Sequence, residues 1–186
     1  MRKDRVTLQF CGFGGQGIVL SSVVFGTAAV IRAGLNAVQT QSYGSEARGG
    51  ECQAELILSD GPIHSPLADR VDILVAMSQL ALNRYLDRLS PGGTLVIDPE
   101  LVEKPDRSDI QVIQVPATEI ASQIGPRIIA NMVMLGFLQQ ATGLMSAEDL
   151  YDTIRGNVPR KYLKVNLEAA RRGVALAREQ NLSVEI

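Results

Sequence analysis

The chain has no tryptophan, one histidine and two cysteines, and aromatic residues make up only 4% of its 186 positions. Four Phe and four Tyr are too few to build stacking platforms for bases, and no long basic run accompanies them. A formal net charge of −2 leaves no electrostatic footprint for nucleic acid or an anionic membrane. The single histidine, His64, rules out a two-histidine metal site or mechanism and lies in a proline-bordered stretch that reads as loop. Cys11 and Cys52 are too few for a disulfide framework. No Cys-x-x-Cys occurs, so the chain cannot hold a four-cysteine iron–sulfur cluster unaided. Each cysteine reads as a small buried apolar residue, and no metal site is expected.

Long hydrophobic runs are missing as well. The apolar-rich stretches 18–31 and 128–138 are interrupted by Ser, Gly, Thr or Asn and fall short of the ~20 residues that span a bilayer. The start, "MRKDRVTLQF", is charged and then apolar, but its apolar piece is too short for a signal peptide. These absences give the expectation of a cytoplasmic protein with no membrane and no nucleic-acid partner. At 46% apolar content, 186 residues suffice for one core, so residues 1–186 read as a single domain.

The patterning that is present alternates strand with helix. "RVTLQF" reads as a first strand, residues 16–33 as a helix stopped by Gly34, and "NAVQTQ" as a second strand. "ECQAELILS" alternates as a third strand, and "VDILVAM", "TLVID" and "IQVIQVPA" are short apolar runs of the kind buried on both faces of a sheet. Between the last three come a helix over 78–89, ended by "SPGG", and a charged connector. Asp69 and Asp72 flank the start of "VDILVAM", where carboxylates commonly end a loop. From Thr118 onward the pattern is helical, with segments 121–124, 127–140, 147–154 (capped by Ser146) and 161–180. The fold class is α/β: one three-layer domain with a mainly parallel sheet, a Rossmann-like glycine turn after the first strand and a helical C-terminal part.

That turn, "GFGGQG", holds Gly12, Gly14, Gly15 and Gly17 with Gln16 among them. A strand–glycine–helix unit aims backbone N–H groups outward and favours an anion at the helix start. The spacing Gly12-x-Gly14-x-x-Gly17 fits a dinucleotide fingerprint, which also needs an acid about 20 residues on to hold the ribose. Here the first acid after the turn is Glu46, and no Gly-Lys-Ser/Thr exists for a Walker A loop. A free-standing nucleotide enzyme is therefore disfavoured. The second concentration of unusual chemistry is "QSYGSEARGGE", where Tyr43, Glu46 and Arg48 stand among Gly44, Gly49 and Gly50. It reads as a solvated surface loop, as a contact for an anionic ligand through Arg48, or as a subunit interface. No catalytic set can be assembled within the chain.

Taken together, "GFGGQGIVLSS", "QSYGSEARGGECQAELILSD", "PLADRVDILVAMSQLALNRYL", "LSPGGTLVID", "NMVMLGFLQQATGL" and "VNLEAARRG" resemble the gamma subunit of 2-oxoacid:ferredoxin oxidoreductases. The likeness runs in one order along nearly the whole chain, and "SYGSEARGG" is most similar to the 2-oxoglutarate branch. Pyruvate, branched-chain and indolepyruvate oxidoreductases are the alternatives. The resemblance implies a multi-subunit enzyme that converts a 2-oxoacid and coenzyme A to an acyl-CoA and CO2 and reduces ferredoxin. It implies that thiamine diphosphate and Mg sit on alpha and beta subunits and iron–sulfur clusters on a ferredoxin-like delta subunit. This chain would bind no cofactor alone. Its loops Gly12, Gly14, Gly15, Gln16 and Gly17, and Tyr43, Glu46, Arg48, Gly49 and Gly50, would face the coenzyme A cleft or the partner subunits. The rivals are a purely structural docking subunit and a separate nucleotide-binding regulator; a homodimer of the isolated chain is also expected to be possible.

The missing ribose acid generates a direct expectation. Calorimetric titration of the purified chain with NAD or ATP is expected to give no binding heat, and saturable binding of either would restore the nucleotide reading.

Overall fold

In a computed structural model that describes residues 4–43 and 50–184, the first strand, β1 (Arg5–Phe13), lies inside the sheet with neighbours on both edges. Its even-numbered residues Val6, Leu8 and Phe10 are apolar and face one core, while Thr7 and Gln9 face the other side. Helix α1 (Ile18–Ala33) follows and ends at Gly34, whose φ of 71° supplies the left-handed cap that glycine adopts at least cost. The chain then runs out through β2 (Asn36–Tyr43) and back through β3 (Glu51–Ser59). β3 is antiparallel to both β1 and β2. Beyond it come β4 (Val71–Ala76), β5 (Leu89–Ile97) and β6 (Gln111–Gln114), all parallel to β1. The sheet order is β2-β3-β1-β4-β5-β6. The sheet is mainly parallel, as the alternation of elements predicts, with β3 the one reversed strand.

Three layers result. Helices α1, α3 (Ala117–Ile124), α4 (Ala130–Thr142), α5 (Ala147–Asn157) and α6 (Arg160–Glu179) share the larger core on one face. The short α2 (Gln79–Tyr85) covers the other face over β1 and β4, where Leu74, Ala76, Leu95 and Ile97 meet Ala81 and Leu82. Ser146 and Asp149 form a reciprocal capping box at the start of α5.

Two expectations change. The helix over 78–89 is shorter, closing in a 3-10 turn at Leu86–Arg88, and "SPGG" is not a helix-stopping loop but part of β5. There the register against β4 jumps from Val71↔Leu89 to Ile73↔Thr94, so residues 90–93 form an irregularity in the ladder. Gly12 likewise stands in the β1 ladder opposite Cys52 rather than in the turn itself. No helix among the described residues is long and apolar enough to cross a membrane.

Almost every residue of α4 is buried, because α6 crosses it at backbone contact distance. A Cβ on Gly173 would lie 2.0 Å from the Val133 carbonyl oxygen, and one on Gly136 would lie 1.9 Å from that of Ala170. Gly173→Ala gains roughly 1 kcal/mol of helix propensity, yet it must push two helices apart, an overpacking that typically costs ~1–3 kcal/mol and more against backbone. A lower urea midpoint is expected for Gly173→Ala, and an equal or higher one would contradict this packing.

Candidate functional site

The glycine turn is closed by a side chain. Gln16 folds back so that its Oε1 accepts the Phe13 N–H at 2.7 Å and its Nε2 donates to the Met77 carbonyl at 2.8 Å. Space for it exists because Gly12 has no Cβ: one there would lie 2.4 Å from Gln16 Oε1 and 2.8 Å from Ile18 Cδ1. Gly17 begins α1 with φ 75°, and a Cβ there would strike the Asn131 amide at 2.2 Å. Thus Gly12 and Gly17 make room for Gln16 and Asn131, while Gly14 and Gly15 are exposed at the tip. One donor that a phosphate would seek is already taken by this protein's own glutamine.

The second loop leaves the sheet at the same edge. Tyr43 pairs with Cys52, which also pairs with Gly12, and the Gly14 N–H donates to the Gly50 carbonyl at 2.9 Å. Glu51, the next residue, is ion-paired to Arg84 on α2. Both ends of the loop, Tyr43 and Gly50, therefore lie beside the glycine turn. Glu46, Arg48 and Gly49 lie outside the described residues. Of Tyr43 the backbone strand position is described, and Gly50 is placed by its bond to Gly14.

Beside the turn, between the ends of β1 and β4, lies a crevice of about 160 Å³ lined by Gly15, Gln16, Met77, Leu101, Thr118, Arg127, Ile128 and Ala130. It sits where the chain leaves β1 toward one side of the sheet while β4 lies on the other, the switch point at which open α/β sheets hold ligands. Sites that take a whole small molecule are commonly ~300–1,000 Å³, so this crevice is at most part of one. Its chemistry is mostly spoken for. Asp98, fully buried at the end of β5, accepts the Thr118 N–H and O–H at 2.7 and 2.6 Å and the Glu100 N–H at 3.0 Å. Arg127 is paired with Glu100 at the rim. Around the turn, two large apolar side chains stand in solvent: Leu80 is 59% and Ile128 56% exposed.

Sequence reasoning did not find Asn131, Arg127, Asp98 or the ties from α2 to β3. Arg88 bonds Glu55 at 2.7 Å, Glu55 accepts the Ala68 N–H, and Gln9 donates to Gln53. A signal existed: Glu51, Gln53 and Glu55 occupy alternate positions of an otherwise apolar strand, and Arg84 and Arg88 are spaced to reach two of them. Of the loop carboxylates, Asp72 lies within β4 and accepts the Thr7 N–H at 2.9 Å. His64 is exposed in the connection between β3 and β4.

The cofactors that the resemblance implies can be tested against these residues. Cys11 packs in the core on the α2 face and Cys52 in the core on the α1 face, so the sheet separates them. Burial pushes both thiols up from their ordinary range, with Glu51 adding to the effect at Cys11. Neither suits a cluster, whose ligands are thiolates. No group of three or more metal-ligating side chains occurs among the described residues. An iron–sulfur cluster does not fit this chain, and no Gly-Asp-Gly segment is present for thiamine diphosphate.

The family model for pyruvate ferredoxin/flavodoxin oxidoreductase matches residues 7–176. The 2-oxoglutarate synthase subunit KorC of Methanothermobacter marburgensis is 44% identical, over 96% of this chain and 98% of its own length. The gamma subunit of a keto/oxoacid ferredoxin oxidoreductase from Geobacter sulfurreducens superimposes with a TM-score of 0.82 at 35% identity, covering 94% of this chain and 99% of that one. A 2-oxoglutarate:ferredoxin oxidoreductase from Magnetococcus marinus, solved with 2-oxoglutarate, coenzyme A and succinyl-CoA bound, superimposes with a TM-score of 0.86 at 26% identity. It covers 96% of this chain, which spans 32% of that longer one.

The Gln16 bridge has a measurable weight. Gln16→Ala leaves the Phe13 N–H and the Met77 carbonyl without their partner, a loss worth ~1–3 kcal/mol where groups are shielded from water. A reduced urea midpoint is expected, and an unchanged one would mean that the turn holds itself without the glutamine.

Proposed function

The chain belongs to the pyruvate ferredoxin/flavodoxin oxidoreductase family, and from that premise we propose that it is the gamma-type subunit of a 2-oxoglutarate:ferredoxin oxidoreductase. The complex oxidatively decarboxylates 2-oxoglutarate onto coenzyme A, giving succinyl-CoA and CO2, while ferredoxin accepts the electrons. The observation that carries this reading is a site left unfinished: two glycine-bordered loops joined at one sheet edge through Gly14 and Gly50, beside a crevice of about 160 Å³ that is at most part of a ligand site, with no complete catalytic set among the described residues. The near full-length match to a 2-oxoglutarate synthase subunit supports the choice of branch.

The chemistry of decarboxylation would be supplied by thiamine diphosphate and Mg held on the alpha and beta subunits, and that of electron transfer by iron–sulfur clusters held on a ferredoxin-like delta subunit. This chain's own residues shape and close the cleft. The exposed Leu80 and Ile128 flank the Gly14–Gly15 tip and are suited to burial against the thiamine-bearing core. Burying them there would exclude water from the edge where coenzyme A enters, which acyl transfer to a thiol requires. Arg48 is assigned the contact to an anionic group of coenzyme A, and Gly14, Gly15 and Gln16 supply backbone or amide contacts at the tip.

One observation favours a second reading, in which the loops only dock partner chains: Gln16 already occupies the Phe13 N–H that an anion would seek. Arg48→Ala in the assembled enzyme separates the two. Loss of one charge-assisted contact is expected to raise the KM for coenzyme A about tenfold or more, with assembly intact. A normal KM with weakened subunit pull-down would favour docking alone, and a normal KM with normal assembly would remove Arg48 from either role.

A further inference from the structure

The outer edge of the sheet at β2 is built to pair. Among the described residues, only β3 and α1 make substantial contacts with this strand, and none of residues 36–42 is fully buried. Native edge strands are normally blunted by charge, proline, bulges or brevity. The opposite edge, β6, is four residues long, and Gln111 donates to the Ser183 carbonyl. β2 is eight residues long, "NAVQTQSY", with no charge and no proline, and its register against β3 has no break. Alongside it runs a groove of about 250 Å³ between β2 and α1, lined by Val23, Gly26, Thr27, Ala37 and Leu56. At its rim Val30 and Ile31 of α1 stand 41% and 66% exposed. Two shielded polar atoms in this groove, the Ser22 hydroxyl and Gln39 Nε2, have no hydrogen-bond partner among the described residues. Unsatisfied buried donors are costly.

We infer that this edge takes a second copy of the same chain, β2 pairing antiparallel with its counterpart about a twofold axis at Thr40. The strand is self-complementary in that register. Gln39 then lies opposite Gln41 of the second copy, both on the α1 face of the sheet, so two uncharged carboxamides meet on each side of the axis. An uncharged strand brings no like charges together across the axis, which an isologous interface must avoid. Val30 and Ile31 of the two α1 helices flank the joined strands and are covered with them. The inference does not rest on the 2-oxoacid reading, because it uses only the edge strand and α1.

Sedimentation equilibrium of the purified full chain tests it from low to high micromolar concentration. The wild type is expected at twice the mass of one chain. Gln41→Lys places like charges across the axis on an exposed side chain and is expected to weaken association about 100-fold; Ile31→Lys should also weaken it, with the far-ultraviolet circular dichroism of both unchanged. In Thr40→Cys, facing Cα atoms would be ~4.5–5.5 Å apart, within disulfide reach, so oxidation should give a covalent dimer, whereas Gln111→Cys on the far edge should not. A monomeric wild type at high micromolar concentration, an undisturbed dimer in Gln41→Lys, or equal crosslinking of the two cysteine variants would each overturn the inference.

Discussion

The side chain of Gln16 is the contact on which the functional edge depends. It occupies the space that Gly12 leaves open, closes the turn on the Phe13 amide, and ties that turn to the end of β4 through the Met77 carbonyl. Because Gly14 in turn holds Gly50, the same bridge fixes the start of β3 and both ends of the loop after Tyr43. Without it, the helix dipole at α1 would face an open turn resembling a nucleotide site. With it, the turn is a rigid projection whose tip, rather than its interior, faces outward.

A projection of this kind makes sense in a protein that completes another protein's site. The crevice beside the turn is small, its Thr118 is bonded to the buried Asp98, and its arginine, Arg127, is paired. The exposed Leu80 and Ile128 supply apolar surface around a polar tip, the composition of a docking edge rather than of an enclosed active site. The thiols lie on opposite faces of the sheet and burial pushes both up from their ordinary range, so neither is suited to ligate a cluster.

Much of this was legible in the sequence because it is local. The α/β alternation, the Gly34 cap and the Ser146 cap follow from spacing within a few residues, and the shared edge follows from strand order. What escaped was non-local. Gln16 reads as a polar residue in a turn until Met77, 61 positions away, is placed beside it. "SPGG" has the composition of a helix stop, yet pairing with β4 draws it into a strand. Asp98 gives no sign of its role until Thr118 lies against it, and Asn131 none until Gly17 does.

The proposed role buries the Gly14–Gly15 tip against the thiamine-bearing core of a 2-oxoglutarate:ferredoxin oxidoreductase. Hydrogen–deuterium exchange, comparing the isolated chain with the assembled enzyme, measures this most directly. Peptides covering Phe13–Gly17 and Arg127–Ala130 are expected to exchange markedly more slowly on assembly, while the β6 edge is unchanged. Unchanged exchange across the glycine turn in the assembled enzyme would contradict it.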